Sequence, residues 1–464
     1  AIELAAAWVS VLSLAQLTDR LDRRFDLLIG GSRAALPRQQ TLRATVDWSH
    51  DLLSMKEQTL LRRLAVFVGG WTLEAAEAVC AGQGREDRDD GIDVGDVLPI
   101  LRSLVEKSLV VGEAKRTVAL ISVATVVDRS LILPAREPDA QIRFGMLETI
   151  REYALERLGE SLDGEPVRHR HAEYFRALAE RAEHCLTTPE QTAWFSTLHA
   201  ELGNVRAYLL WSSARAADTP GAAGAALRLS VALGEFWNWR GFAGEGSAWL
   251  DRALHAAEHA AALDPTGAQP EVHARARRWA AHLAFAQGDY PRAWAHGEAS
   301  LALSRQLGNA REIARSLVTL GMISQWRGNR TVTRGLLEQG LAVAREIDDR
   351  WLIGEALLWL GRQLREEGAH AEAYAVLAES VSALREDRGD GRLKSALYHL
   401  GIVACWHGDS ARANDAFRES LALSRALGND SGIGIAFGGL GLVAFRLGDL
   451  AAARAFWTDG ERHL

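Results

Sequence analysis

The stretch LGMISQWRGNRTVTRGLLEQGL, residues 320–341, decides the fold of most of this chain because its pattern returns every 40 residues. The next copies are LGRQLREEGAHAEAYAVLAESV at 360–381 and LGIVACWHGDSARANDAFRESL at 400–421. Three positions keep the spacing: a Leu-Gly pair, a turn glycine and a later aliphatic residue. The turn glycines are Gly288, Gly328, Gly368, Gly408 and Gly448, the Leu-Gly glycines are Gly321, Gly361, Gly401 and Gly441, and the aliphatic residues are Leu301, Leu341, Val381 and Leu421. A fixed period of this length indicates a repeat architecture, in which each unit buries its apolar face against its neighbours.

Each copy predicts two helices joined by the turn glycine. Leu317, Leu320 and Ile323 follow helical spacing ahead of Gly328, which supplies the left-handed residue that ends the first helix. Glycine inside a helix costs about 1 kcal/mol relative to alanine. The return of the Leu-Gly pair in every copy therefore indicates that two helices approach closely there. A small residue follows each turn at a fixed offset: Ala293, Ala373, Ala413 and Ala453, with Thr333 as the exception.

Composition and charge narrow the class of protein. A chain of 464 residues is too long to fold around one hydrophobic core. Its net charge of −7 argues against non-specific binding to nucleic acid. Cys80, Cys185 and Cys405 lie far apart, which indicates a reducing compartment and predicts a cytoplasmic protein. The sequence contains no apolar run of about 18 residues, which would predict a membrane span. It also contains no histidine pair with a supporting glutamate, which would predict a metal site. His169 and His171 are predicted to lie on the surface of a helix.

The N-terminal third predicts a winged helix, in which three helices are followed by a hairpin. Ser54 and Glu57 form a capping box, where each side chain accepts a hydrogen bond from the other residue's backbone. Residues 113–141 interrupt the hairpin as an insertion that would make a long wing or an extra hairpin. The predicted helices are 41–53, 55–67, 72–80, 97–107 and 148–158, and the predicted strands are 108–111 and 143–146.

The helix at the place of a recognition helix predicts no contact with DNA. Reading DNA requires Arg, Lys, Asn or Gln on the exposed face of that helix. Residues 72–80 carry Glu74 and Glu77 and no basic residue. We therefore expect this domain to act as a structural hinge, with no direct binding of nucleic acid by this chain.

Four segments carry a more specific resemblance: RQQTLRA at 38–44, DWSHDLL at 47–53, LRRLAVF at 61–67 and LETIREYA at 147–154. With the repeats, they resemble the large bacterial regulators of the signal-transduction ATPase class, of the LuxR/AfsR type. These regulators are similar to the apoptosome and plant-resistance switches. The resemblance implies an order of P-loop ATPase, helical lid, winged helix and tetratricopeptide-like repeats, often with a DNA-binding output domain.

The resemblance divides this chain and sets its fold class. The implied fold is mainly α, with a winged-helix domain followed by a right-handed superhelix of tetratricopeptide repeats. The divisions are a lid remnant at 1–37, a winged helix at 38–160 with its insertion at about 113–141, a helical cap with degenerate repeats at 161–268, and repeats of 40-residue period at 269–464.

Two departures from the family concern its nucleotide. The chain contains no Gly-x-x-x-x-Gly-Lys-Ser/Thr, so the resemblance implies no enzyme activity and no cofactor for this fragment. ATP or ADP is expected only with the ATPase domain that the fragment lacks. Met146, Leu147 and Glu148 stand where eukaryotic relatives hold the bound diphosphate with Met-His-Asp, which makes them a nucleotide-proximal motif. Leu147 cannot donate a hydrogen bond to phosphate.

In tetratricopeptide arrays the first helices line a concave groove. Residues six and three before the first-helix glycine, and one and four after it, are predicted to face inward. The ligand candidates among them are Arg275, Arg278, His282, Arg315, Gln325, Arg362, Arg365 and Tyr398. Arg315, Arg362 and Arg365 are predicted to lie at one level of the groove. Three guanidinium groups there favour an acidic or carboxylate-bearing ligand, either a peptide or a metabolite. The alternative is a solvated groove with internal Arg–Glu pairs.

These patterns together predict the regulatory and sensor part of a signal-transduction ATPase that regulates transcription. A protein or small-molecule effector would bind in the repeat groove and control the absent ATPase, and activation would be accompanied by oligomerisation. The alternative is a plain tetratricopeptide scaffold that joins partner proteins without switching.

Overall fold

The computed structural model describes residues 42–82, 91–113, 142–186, 188, 190–215, 221–263, 269–386 and 390–463. The predicted lid remnant at 1–37 and residues 114–141 of the insertion lie outside the described residues. The chain divides into two compact units: Ala1–Phe175 with Glu201–Ala207, and Arg176–Ala200 with Tyr208–Leu464. We call them the N-terminal unit and the repeat unit. The division falls at Phe175, within a helix, and differs from the predicted boundary at 160.

The N-terminal unit combines helices with a small antiparallel sheet. Its elements are α1 (Leu42–Asp51), α2 (Met55–Leu64), β1 (Trp71–Thr72), α3 (Leu73–Cys80), α4 (Val94–Glu106), β2 (Val111–Glu113), β3 (Arg143–Gly145), α5 (Glu148–Gly159) and the first part of α6 (Gly164–Cys185). The strand order is β1-β3-β2, with Trp71 opposite Phe144 and Val111 opposite Gly145. The hairpin is present, while the winged-helix interpretation of the whole unit stays a prediction.

Three local predictions in this unit need correction: the start of a strand at 108, the helical Thr72 and the exposed Glu77. The strand predicted from 108 begins only at Val111, because Ser108 adopts a left-handed conformation with φ of 60° that ends the preceding helix turn. Thr72 was assigned to a helix but pairs in β1 while its hydroxyl caps α3 at Ala75 N, 3.2 Å away. On α3, Glu74 is exposed as predicted, whereas Glu77 is half-buried.

The capping box that the sequence predicts is formed and also joins two helices. Ser54 N donates to the Glu57 carboxylate at 2.7 Å, and Glu57 N donates to Ser54 Oγ at 3.4 Å. The same carboxylate accepts from Ser103 Oγ and Lys107 Nζ, each at 2.6 Å. Burial alone would raise the pKa of Glu57, but these hydrogen bonds from Lys107, Ser103 and Ser54 lower it to about 2. Glu57 therefore ties α2 to the end of α4.

His171 is buried, and its predicted place on the surface is wrong. It is 4% exposed and packs against the rings of Phe67 and Phe175, with Nε2 facing Asn204 Oδ1 at 3.4 Å. Phe175 lies four residues later on the same face of α6, so both rings enter the core together. Burial lowers the pKa of His171 to about 4, despite the hydrogen bond with Asn204.

Acid should destabilise the N-terminal unit through His171. The unfolded chain protonates this imidazole near its ordinary pKa of about 6.5, whereas the folded protein keeps it neutral down to about pH 4. The stability is therefore complete above pH 6.5 and declines as the pH falls towards 4, by on the order of 1–2 kcal/mol at pH 5. The measurement is urea unfolding of the full chain at pH 7 and pH 5.

His171→Gln should be less stable at pH 7 but should lose less stability than the wild type between the two pH values. His169→Gln, an exposed histidine on the same helix, is the matched control and should keep the wild-type pH dependence. Equal losses in both variants would show that His171 is not the group responsible.

The described residues of the repeat unit form helices alone. After the second part of α6 come α7 (Gln191–Ala200), α8 (Leu202–Arg215), α9 (Ala222–Ala232), α10 (Gly234–Trp239) and α11 (Ala243–Leu263), and the residues of α8 up to Ala207 belong to the N-terminal unit. The repeats follow as α12 (Pro270–Ala286), α13 (Tyr290–Gln306), α14 (Ala310–Trp326), α15 (Arg330–Glu346), α16 (Arg350–Glu366), α17 (His370–Glu386), α18 (Asp390–Trp406), α19 (Ser410–Ala426), α20 (Asp430–Arg446) and α21 (Leu450–Glu461). Each first helix packs most extensively against the second helix of its own repeat. The mainly helical repeat class is thus confirmed, and its superhelical handedness stays a prediction.

The turns follow the predicted chemistry. The five turn glycines have φ between 73° and 83°, a region that side chains with a Cβ rarely adopt. The next residue usually caps the following helix: Asp289, for example, accepts from Arg292 N at 3.2 Å. Thr333, the exception among the small residues, is fully buried, and its hydroxyl donates to Asn329 O at 2.9 Å. Its polar atom is therefore satisfied inside the repeat.

The helices approach each other closely at the Leu-Gly glycines, as the repeated use of this unfavourable helix residue predicted. A Cβ at Gly361 would lie 2.5 Å from Leu377 Cγ, and one at Gly401 would lie 2.7 Å from the Phe417 ring. The corresponding partners in the other repeats are Leu337 for Gly321 and Trp457 for Gly441. In each repeat, a large side chain of the second helix occupies the space that a Cβ would need.

Gly361→Ala should lower the free energy of unfolding by about 1–3 kcal/mol, because Leu377 must move. Gly335→Ala is the control: Gly335 also lies inside a helix, α15, and nothing lies within 4 Å of a Cβ added there. That change should be neutral or stabilise the protein by up to about 1 kcal/mol. Denaturant unfolding decides between them, and equal effects would refute the close-approach explanation.

Candidate functional site

A cavity of about 430 Å³ lies within the repeat unit. Most of its wall comes from the N-terminal halves of α12, α14, α16 and α18, and the remainder from α6 and α10. Charged side chains of both signs dominate the lining. They are Arg275, Arg278, Arg311, Arg315 and Arg392, and Glu183, Glu235, Glu271, Glu312 and Glu355.

Four of the eight predicted groove residues meet in this cavity: Arg275, Arg278, His282 and Arg315. The other four, Gln325, Arg362, Arg365 and Tyr398, lie outside its lining. There the Gln325 amide donates to Trp359 O at 3.0 Å, the Arg362 guanidinium stacks 5.3 Å from the ring centre of Trp359, and Arg365 contacts His399 at 3.2 Å. Tyr398 packs edge-on against His399. These four residues form separate contacts nearer the C-terminal ends of their helices.

The inward face of the first helices extends one helical turn further towards their N-termini than the spacing predicted. The cavity also takes residues nine and ten positions before the first-helix glycine, namely Glu271, Arg311, Glu312, Trp351 and Arg392. These positions continue the same spacing of three or four residues along the inward face, so the signal was available. Glu183 and Glu235 come from helices outside the clear repeats, where the 40-residue register gives no guide.

All five cavity arginines have a carboxylate partner. Glu312 is buried and lies 3.1 Å from Arg278 and 3.2 Å from Arg315. Burial alone would raise the pKa of Glu312, but these two guanidinium groups hold it below its usual value. Arg392 pairs with Glu355 at 2.9 Å. The remaining pairs are Arg275 with Glu183, and Arg311 with Asp349 at 2.8 Å. The arginines are therefore internally paired, as the alternative interpretation of the groove expected.

His282 is a neutral member of the lining. The Thr319 hydroxyl donates to Arg315 O at 2.8 Å, so its oxygen is available to accept from His282 Nε2 at 3.0 Å. Burial, together with the charges of Arg278, Arg392 and Arg315, lowers the pKa of His282 well below its usual value. His282 is therefore an uncharged hydrogen-bonding group at neutral pH.

Glu235 differs from the other buried charges. It is 8% exposed, and Trp239 Nε1 donates to its Oε1 at 2.6 Å. No Lys, Arg or His nitrogen of the described residues lies within 4 Å of its carboxylate. Burial raises the pKa of Glu235, although the charge of Arg392 and the indole hydrogen bond oppose this.

Contacts between distant segments of the repeat unit join α10 and α18, which both contribute to the lining of the cavity. The Trp239 ring on α10 carries Arg392 at 5.5 Å and Lys394 at 5.1 Å from its centre, both on α18. Thr192 Oγ1 donates to Ala426 O at 3.4 Å across 234 residues of sequence. We call these five residues the clasp. The repeat period does not predict them, because it describes only neighbouring units.

The nucleotide-proximal motif lies in the N-terminal unit. Met146 is half-buried, whereas Leu147 is exposed and occupies the N-cap position of α5 without a side-chain cap. The Glu148 carboxylate pairs with Arg151 at 2.6 Å. Within the described residues no group of three or more His, Cys, Asp or Glu side chains is placed to hold a metal ion. No helix in that part of the chain is long and apolar enough to cross a membrane.

Trp239→Ala should loosen the clasp without unfolding the repeats. A cation–π contact contributes about 0.5–2 kcal/mol, and this change removes two of them. Hydrogen exchange at residues 394–397, whose amides are the first in α18 with acceptors within the helix, should rise about tenfold or more.

Trp326→Ala is the matched control. Trp326 also carries a guanidinium, that of Arg362 at 5.3 Å, but lies outside the clasp. That variant should leave the exchange at residues 394–397 unchanged. Wild-type exchange there in Trp239→Ala would mean that the clasp does not hold α18.

Comparison with known proteins shows regulators among the relatives. No family model matches the chain. It is 34% identical over 327 residues to a protein of Mycobacterium tuberculosis named "Putative HTH-type transcriptional regulator", covering 70% of this chain and 32% of that protein. A Mycobacterium bovis protein of the same name matches equally. An uncharacterised Mycobacterium tuberculosis protein is 35% identical over 176 residues, which are 38% of this chain and 37% of that one.

Solved structures are similar at low sequence identity. A signal-transduction ATPase with a tetratricopeptide repeat sensor from Pyrococcus horikoshii is 12% identical, with a TM-score of 0.41 over 99% of this chain and 71% of that chain. Aspartyl phosphate phosphatase F from Bacillus subtilis is 10% identical, with a TM-score of 0.45 over 68% and 81%. The chain spans about a third of the length of the curated regulators that it matches. It is a helical-repeat protein similar, over most of its length, to proteins named as transcriptional regulators.

Proposed function

We propose that this chain is the regulatory and sensor part of a signal-transduction ATPase that controls transcription, and that the cavity of the repeat unit receives its effector. Three findings support the proposal: the family resemblance of the N-terminal segments, the relatives named as transcriptional regulators, and the charged cavity between the repeats. The cavity is the observation on which the proposal depends.

The size and position of the cavity suit a small effector. Ligand sites commonly have volumes of about 300–1,000 Å³ and lie between helices, and this one is about 430 Å³. It would hold a metabolite or the end of a peptide. An effector inside would touch Glu235 on α10 and Arg392 on α18, which lie on the two sides of the clasp. Binding and clasp closure would then be linked, because a ligand shifts an equilibrium by its different affinity for the two states.

The remaining roles follow from the resemblance. The N-terminal unit, interpreted as a winged helix with Met146, Leu147 and Glu148 near the nucleotide, would transmit the state of the repeats to an ATPase domain. That domain would supply ATP or ADP binding and all catalysis, in an assembly that forms on activation in the cytoplasm. This chain would have no enzyme activity, no cofactor of its own and no direct contact with nucleic acid.

A plain scaffold without switching is the second candidate. It is favoured by the internal pairing of the cavity arginines, as in Arg278–Glu312 and Arg392–Glu355. A network in which every arginine already has a carboxylate partner needs no charged ligand to balance it. The two candidates therefore differ in whether a small molecule or short peptide binds at the cavity.

A thermal-shift screen of metabolites and short peptides against the full chain tests the proposal. A true effector should raise the Tm of the wild type and of Arg362→Gln equally, because Arg362 lies outside the cavity. Arg392→Gln, which loses a cavity guanidinium and its pair with Glu355, should bind the effector at least tenfold more weakly in calorimetry.

Two results would contradict this expectation. Loss of binding in Arg362→Gln alone would move the site to the outer groove residues. Failure of every compound, together with capture of partner proteins that Arg392→Gln does not weaken, would favour the scaffold.

A further inference from the structure

Two of the five glutamates that line the cavity have no ion-pair partner among the described residues. Each of the five arginines has a carboxylate within 4 Å, and Arg311 takes its partner, Asp349, from outside the lining. Among the glutamates, Glu183, Glu312 and Glu355 are paired with arginines. Glu235 and Glu271 have no cationic partner within the described part of the chain. The lining therefore offers two carboxylates without an ion-pair partner, whereas each guanidinium has at least one carboxylate within 4 Å, although Arg278 and Arg315 share theirs.

Glu235 is the better placed of these two carboxylates. It is more than nine-tenths buried, and the charges of Arg392, Glu355 and Arg278, all of which line the cavity, act on its carboxylate. Its Oε1 accepts from the Trp239 indole at 2.6 Å, whereas Oε2 has no hydrogen-bond partner among the described residues. A buried carboxylate without a counter-charge is costly, and a cation arriving beside it would offset that cost.

A metal ion does not fit this arrangement. Within the described residues no three metal-binding side chains converge, and a cavity of about 430 Å³ is far larger than a bare ion requires. Hard metal ions need several oxygen ligands in one shell, whereas Glu235 supplies a single carboxylate. An organic cation supplies N–H donors that one carboxylate and its neighbours can satisfy.

We propose that the cavity binds an organic cation, a primary ammonium or a guanidinium group, at the Glu235 carboxylate. Glu271, exposed at the rim, attracts the cation on entry. The proposal rests on the proposed function of the cavity as an effector site and names the chemical class of that effector. It replaces the acidic ligand that the arginine pattern predicted, because those arginines are already paired.

The opposite side of the cavity allows a second group on the ligand. Arg278 and Arg315 share one carboxylate, that of Glu312, so this side holds one guanidinium more than its carboxylate balances. A ligand with a cationic nitrogen at one end and a carboxylate at the other would satisfy both sides. The cationic nitrogen remains the required group.

Four five-carbon probes of matched length isolate charge: cadaverine, 5-aminopentanoate, glutarate and 1,5-pentanediol. Calorimetry with the full wild-type chain should detect cadaverine or 5-aminopentanoate and neither of the other two. Glu235→Gln keeps an oxygen acceptor for the Trp239 indole but removes the charge, and it should weaken binding at least tenfold. Glu379→Gln is the matched control, since Glu379 is an exposed carboxylate paired with Arg345 away from the cavity.

Circular dichroism and Tm establish that Glu235→Gln is folded. If it is not, Glu271→Gln replaces it, with an expected loss of about threefold because this carboxylate is solvated. The inference is overturned if neither cation binds, if glutarate alone binds, or if the glutamate variants bind the cation as tightly as the wild type. Glutarate binding that Arg392→Gln abolishes would overturn the cation but leave the effector cavity standing. A failed effector screen would remove the proposed function itself.

Discussion

The close approach of two helices at one glycine, in four of the five helix pairs, is the constraint on which the repeat unit depends. Where Gly361 meets Leu377, and Gly401 meets Phe417, the absence of a Cβ lets a large side chain enter the first helix. The contact fixes which face of each first helix is covered by its partner. It also leaves the adjacent face of α12, α14, α16 and α18 to converge on the cavity. Without this packing, charged residues spaced along the sequence would not meet.

The charges in the cavity are arranged to offset their burial. Taking a guanidinium and a carboxylate out of water costs several kcal/mol for each ion, so pairing at best recovers that cost. Glu312 between Arg278 and Arg315, and Glu355 beside Arg392, are pairs of this kind. They contribute little net stability, but an unpaired member would be strongly unfavourable. The pairs therefore fix the orientation of neighbouring first helices and leave Glu235 as the buried carboxylate without a counter-charge.

The repeats could be predicted from the sequence because their determinants are local and periodic. The role of Gly328 depends only on the turn in which it lies. Gly321 indicates a close approach because a glycine returns at this helical position although glycine disfavours helices. The inward face of the first helices was predicted in part. Arg392 was not among the predicted residues, because it lies one helical turn before the first of the predicted inward positions. His171, Glu235 and the clasp depend instead on contacts between segments far apart, such as Thr192 with Ala426. No repeated spacing in the sequence relates these distant segments to each other, so the sequence could not predict their contacts.

Arg392 connects the cavity to the clasp, since its guanidinium pairs with Glu355 at 2.9 Å and lies 5.5 Å from the Trp239 ring centre. A ligand that displaces Arg392 from Glu355 would therefore act on a residue of the clasp. A few cation–π contacts of about 0.5–2 kcal/mol each hold it, far less than the packed faces between repeats contribute. Coupling between sites is typically about 1–3 kcal/mol, which is comparable with the clasp and small beside the repeat interfaces. In the proposed sensor, an effector would thus change the contact between α10 and α18 while each helix pair stays intact.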